Sequence, residues 1–117
     1  MGGARILLVD DEAPLLELLT RYLERLGYQV DACLTPEEAL ARFESDPTLY
    51  SLVLTDLTLP GMRGDEMLTR MRQLSPQLRA ILASGYPYEA PDELTKSLQK
   101  PFLPRMLAEQ IEELLKT

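Results

Sequence analysis

The sequence predicts an α/β fold: a doubly wound, five-stranded parallel sheet with helices on both faces. Three observations predict it. Short continuous apolar runs, Ile6-Leu7-Leu8-Val9, Leu52-Val53-Leu54 and Ala80-Ile81-Leu82-Ala83, fit strands buried on both faces of a parallel sheet. Between them lie segments whose apolar residues recur at helical spacing. Polar residues that can do chemistry follow the strand runs, where doubly wound folds bind their ligands.

The elements follow in order. The first strand, ending at Val9, runs into Asp10-Asp11-Glu12. Leu15, Leu16, Leu19, Tyr22, Leu23 and Leu26 then form one apolar stripe, with Pro14 suited to the first turn and Gly27 to the C-terminal stop. Tyr28-Gln29-Val30-Asp31-Ala32 alternates and reads as a strand nearer an edge. Thr35 is the expected N-cap of a second helix, Pro36 its first residue, and Ala39, Leu40 and Phe43 its inward side. The third strand runs through Thr55 into Asp56, and Met67, Leu68, Met71 and Leu74 mark the third helix. The fourth strand ends at Ser84. A stretch with no clear pattern follows, then a weak short strand ending at Lys100. Pro104 opens a last helix with Leu107, Ile111, Leu114 and Leu115 on its buried side. Alternating strands and helices joined by right-handed crossovers give the doubly wound arrangement. No repeat or long linker divides the chain, so one domain over 1–117 is expected; Met1-Gly2-Gly3 carries no weight in that reading.

Composition narrows the function. With 45% apolar and 26% charged residues, the chain reads as a compact globular unit. Its apolar runs are far too short to cross a membrane, and no secretory leader pattern opens it. A net charge of −7 disfavours direct nucleic-acid binding. One cysteine, Cys33, cannot form an internal disulfide, and cytoplasmic residence is the simple expectation. The absence of histidine excludes Ser-His-Asp and Cys-His catalysis and the common His-ligated zinc sites. Chemistry must then run on carboxylates, hydroxyls and lysine, with any metal oxygen-ligated and Mg²⁺-like.

Asp10, Asp11, Asp56, Ser84 and Lys100 are expected to converge on one edge of the sheet from four separate segments. Clustered carboxylates repel and raise one another's pKa, a conflict that a divalent cation removes. A carboxylate can also attack phosphorus, and phosphoryl transfer needs mainly positioning and charge neutralisation. Each residue alone has a plainer reading. Asp10 and Asp11 could cap the first helix, Asp56 could be a turn residue, Ser84 before Gly85 a turn or cap, and Lys100 a surface cation. Those plainer readings do not predict the joint occurrence at equivalent strand ends.

With these residues in view, the sequence resembles the response-regulator receiver family of two-component signalling. The resemblance rests on Ile6 to Glu12, on Asp56-Leu57-Thr58-Leu59-Pro60-Gly61-Met62-Arg63-Gly64, on Ala83-Ser84-Gly85 and on Lys100-Pro101-Phe102, and covers nearly the whole chain. It implies a flavodoxin-like fold with strand order 2-1-3-4-5. It implies Asp56 as the phosphoacceptor, with Mg²⁺ (or Mn²⁺) held by Asp10, Asp11, Asp56 and the backbone carbonyl of Thr58. Ser84 would hydrogen-bond the phosphoryl group, Lys100 would pair with its charge, and the Lys100-Pro101 peptide would be cis. The donor would be a phosphohistidine on a histidine kinase or phosphotransfer domain, separate or covalently linked as in hybrid sensor kinases. Such a domain catalyses only its own phosphorylation and dephosphorylation.

Departures from the family pattern set further expectations. Ser97 stands where the family usually has an aromatic switch residue, and Arg63 where it often has Asp. Only fifteen residues separate Ser84 from Lys100, and Pro87 and Pro91 fall among them, so the fourth helix is expected to be short or missing. The altered switch region favours a rival reading, a pseudo-receiver that binds a partner without phosphorylation. An aspartate-nucleophile phosphatase would need an Asp two residues after Asp56, where Thr58 stands. In a flavin mononucleotide carrier, Asp10-Asp11-Glu12 would repel the cofactor's phosphate.

Overall fold

The structure, a computed structural model, describes residues 3–116; Met1, Gly2 and Thr117, the outer ends of the expected 1–117 unit, lie outside them. The elements are β1 (Arg5–Val9), α1 (Ala13–Arg25), β2 (Gln29–Cys33), α2 (Pro36–Ser45), β3 (Leu52–Asp56), α3 (Gly64–Leu74), β4 (Arg79–Ser84), β5 (Thr95–Gln99) and α4 (Pro104–Lys116). All strand pairings are parallel, and the sheet order is β2-β1-β3-β4-β5. This is the flavodoxin-like arrangement that the sequence predicts.

Alternation along each strand feeds two cores. Leu7, Val9, Val53 and Ala80 point to one face, where Phe43 of α2 and Met67 and Met71 of α3 close over them. Ile6, Leu8, Leu54 and Ile81 point to the other, beneath Leu19 and Leu23 of α1 and Leu107 and Ile111 of α4. Each such side chain contributes about 1.5–3 kcal/mol through removal from water.

Helix ends behave as local chemistry dictates. The Thr35 hydroxyl accepts a hydrogen bond from the Glu38 N–H at 3.2 Å, and Pro36 opens α2. Gly27, at φ +99°, closes α1: its N–H donates to the Glu24 carbonyl at 3.0 Å, and that of Tyr28 to Leu23 at 3.2 Å. Two expected inward leucines differ. Leu26 is 46% exposed and Leu74 52% exposed. Both sit where a helix ends, Leu26 already outside α1 and Leu74 in the last turn of α3, so helical periodicity no longer aims them at the core.

No helix forms between β4 and β5 among the described residues, as the two prolines suggest. The connecting segment is instead held by side chains. Asp92 accepts from the Leu94 N–H and the Thr95 hydroxyl, both at 2.9 Å, and pairs with Arg72 of α3 at 3.2 Å. β5 is a full five-residue strand, more regular than its polar sequence suggests, because β4 offers it a complete ladder from Ala80↔Thr95 to Ser84↔Gln99.

Gly64 fixes where α3 begins. A Cβ there would lie 2.2 Å from the backbone oxygen of Asp56, while its N–H donates to the Leu57 carbonyl at 2.8 Å. Gly85 meets nothing within 4 Å. Gly64→Ala should therefore destabilise the protein by about 1–3 kcal/mol in urea unfolding, the overpacking range. Gly85→Ala should stay within about 0.5 kcal/mol of the parent.

Candidate functional site

The parallel sheet delivers the predicted residues to one edge. Asp10 follows β1, Asp56 ends β3, Ser84 ends β4 and Lys100 follows β5. Register keeps them level: Asp56 pairs with Ala83, and Ser84 with Gln99. Backbone bonds extend the ladder past the strands, from the Leu57 N–H to the Ala83 carbonyl and from the Lys100 N–H to the Ser84 carbonyl, both 2.7 Å. The Lys100-Pro101 peptide is cis, as the resemblance implies.

Lys100 is the hub. Its ammonium lies 3.1 Å from Asp10 Oδ2, 3.2 Å from Asp56 Oδ2 and 3.5 Å from Glu12 Oε1. Asp10 is 6% exposed, and its other oxygen accepts from the Glu12 N–H at 2.8 Å. Asp11 is exposed, yet a carboxylate oxygen from each of Asp10, Asp11 and Asp56 lies within 4.8 Å of the others. Ser84, 2% exposed, accepts from the Tyr86 N–H at 3.1 Å through its hydroxyl oxygen.

Opposing forces set the titration of the two central groups. Burial pushes the Asp56 carboxyl above its ordinary value; the charge and hydrogen bond of Lys100 and the Thr58 N–H oppose that, while Asp10 adds to it. For Lys100 burial alone favours the neutral amine. The hydrogen bond and charge of Asp10, joined by those of Asp56, outweigh it and hold the ammonium above its ordinary value.

The donor set suits a hard divalent cation. It is all oxygen, and the carboxylates of Asp10, Asp11, Glu12 and Asp56 outnumber the one ammonium among them, leaving negative charge to be neutralised. Thr58 stands on the loop after β3 with its N–H toward Asp56. Sequence reasoning left Glu12 out of the site, although the run Asp10-Asp11-Glu12 carries the signal. Ser97 brings no ring. Its carbonyl accepts from Gln110 at 3.1 Å, and a cavity of about 270 Å³ opens beside it, bordered by Ser84, Tyr86 and Tyr88.

Comparison with known proteins identifies the family. Residues 6–112 match the family described as the response regulator receiver domain, and the chain belongs to that family. It is similar to the response regulator receiver protein CpdR of Brucella abortus, 34% identical over 95% of this chain and 96% of that protein. It is also 32% identical to the sensor kinase CckA of the same organism, over 97% of this chain but only 13% of the kinase. Among solved structures it resembles the response regulator TrrA of Thermotoga maritima, crystallised in complex with Mg²⁺ and BeF, with TM-score 0.82, 33% identity, and 95% and 98% of the two chains covered. Receiver domains are signalling domains that bind Mg²⁺ in an acidic pocket and interact with histidine kinases or phosphotransfer proteins. No described helix is long and apolar enough to cross a membrane.

Breaking a buried pair strands the remaining charge. Lys100→Met should lower stability by roughly 2 kcal/mol in metal-free urea unfolding, a value reduced from the fully buried case because the Lys100 side chain is 20% exposed. Adding Asp10→Asn should restore part of the loss; an additive double mutant would contradict the coupling.

Proposed function

We propose that the chain is a single phosphoacceptor receiver domain over 1–117 and that Asp56 takes a phosphoryl group from a phosphohistidine on a kinase or phosphotransfer partner. The observation that carries the proposal is the ammonium of Lys100 set between Asp10 and Asp56, at 3.1 and 3.2 Å, beside Asp11. An Asp56 carboxylate oxygen attacks phosphorus, the P–N bond to the donor imidazole breaks, and an acyl phosphate forms on Asp56. Lys100 is placed to shift onto a phosphoryl oxygen as negative charge moves outward. The Ser84 hydroxyl oxygen accepts from Tyr86, so its hydrogen is left to donate to the same group.

Asp10, Asp11 and Asp56 with the Thr58 carbonyl would hold Mg²⁺, which supplies neutralisation of the phosphoryl oxygens when bound. Water entering along the same line hydrolyses the acyl phosphate, so the domain catalyses its own loading and unloading and no other reaction. The partner is separate or covalently linked, and cytoplasmic residence accords with a kinase donor.

A second reading, a phosphorylation-independent binding module, draws on Ser97 in place of an aromatic ring and on the missing helix after β4. Intact mass after incubation with acetyl phosphate separates the two. A gain of one phosphoryl group is expected with Mg²⁺ present. The gain should vanish with EDTA or in Asp56→Asn, and Asp11→Asn should slow it by at least about tenfold, the scale of lost charge stabilisation. No gain, together with no binding of beryllofluoride, would favour the binding module.

A further inference from the structure

Where a helix would cover β4, the chain leaves an open trough of about 650 Å³ between α3 and residues 88–92. Its sides include Leu68 and Thr69 of α3 and Tyr88 and Pro91 of the segment, above the buried Leu82 of β4. Asp65, Glu66 and Asp92 line it, the exposed Glu89 stands on the same segment, and the exposed Glu93 follows it. The lining cation, Arg72, is fully engaged: Nε and Nη2 donate to the Leu78 carbonyl at 3.0 and 2.8 Å, and Nη1 meets Asp92 at 3.2 Å. Arg63 and Arg70 pair with Asp65 and Glu66, all more than a third exposed, and such surface pairs are readily exchanged for a partner's cation. Leu68 and Leu82 are 3% and 0% exposed, so Tyr88 and Pro91 supply the apolar surface, and with the carboxylate rim they fit a cationic segment carrying aliphatic side chains. A second copy of the chain would bring the same acidic rim and a net charge of −7 against it.

We propose that this trough is the docking surface for a basic, aliphatic-bearing segment of a partner protein. The docking stands independently of the Asp56 chemistry.

The test is an ¹⁵N–¹H NMR titration of the full chain with an acetylated peptide of alternating Lys and Leu, compared with its Glu-for-Lys counterpart. The Lys peptide should shift Leu68, Thr69, Tyr88 and Asp92, and Glu66→Lys should weaken it by about threefold, the scale of one exposed charge pair. Thr69→Arg, at an exposed position whose side chain would enter the trough, should weaken it further. Shifts centred elsewhere, equal binding of the Glu peptide, or unchanged affinity in both variants would overturn the docking.

Discussion

Two carboxylates held side by side and away from water need a cation between them, and Lys100 meets that need for Asp10 and Asp56. The rest of the site depends on this contact. It joins residues 90 positions apart, so it exists only when β1, β3 and β5 all present their ends on one edge. Its value lies in arrangement more than in stability, because desolvation of the three charges offsets much of their attraction. What remains is a poised set of oxygens with surplus negative charge, ready for a cation and for a group that brings its own.

The same constraint explains the shape around the site. Asp56 ends β3 where α3 must start at once, so only glycine fits at 64. Ser84 ends β4, and its hydroxyl captures the next free N–H, that of Tyr86, in place of the first turn of a helix. From there the chain runs without regular secondary structure to Asp92, where Arg72 and Thr95 hold it for entry into β5. The cluster at the strand ends is thus joined to an acidic trough beside α3, where no helix forms.

Much of this was legible in the sequence because the responsible physics is local. Apolar runs such as Ile6 to Val9 mark buried strands whatever their neighbours, and Thr35-Pro36 and Gly27 act within one turn of the helices they bound. Asp10, Asp56, Ser84 and Lys100 could be placed together once the strands were, since parallel strands send their C-terminal ends to one side. Long-range geometry was less legible. Leu26 and Leu74 satisfy helical spacing, but one lies just past α1 and the other is the last residue of α3, and both are exposed. β5 buries only Thr95 and Leu98, so its polar sequence gave little signal and the β4 ladder had to supply the order. Glu12 is two residues past Asp10, and only the position of the Lys100 side chain brings it into the cluster.

Chemical trapping tests directly whether Asp56 is the carboxylate that takes a phosphoryl group. Borohydride reduces an aspartyl phosphate to homoserine, and peptide mapping by mass spectrometry locates the change. After incubation with Mg²⁺ and acetyl phosphate, a phosphoacceptor Asp56 gives homoserine at position 56 and at no other aspartate. Homoserine at position 10 or 11 instead, with Asp56 intact, would contradict it.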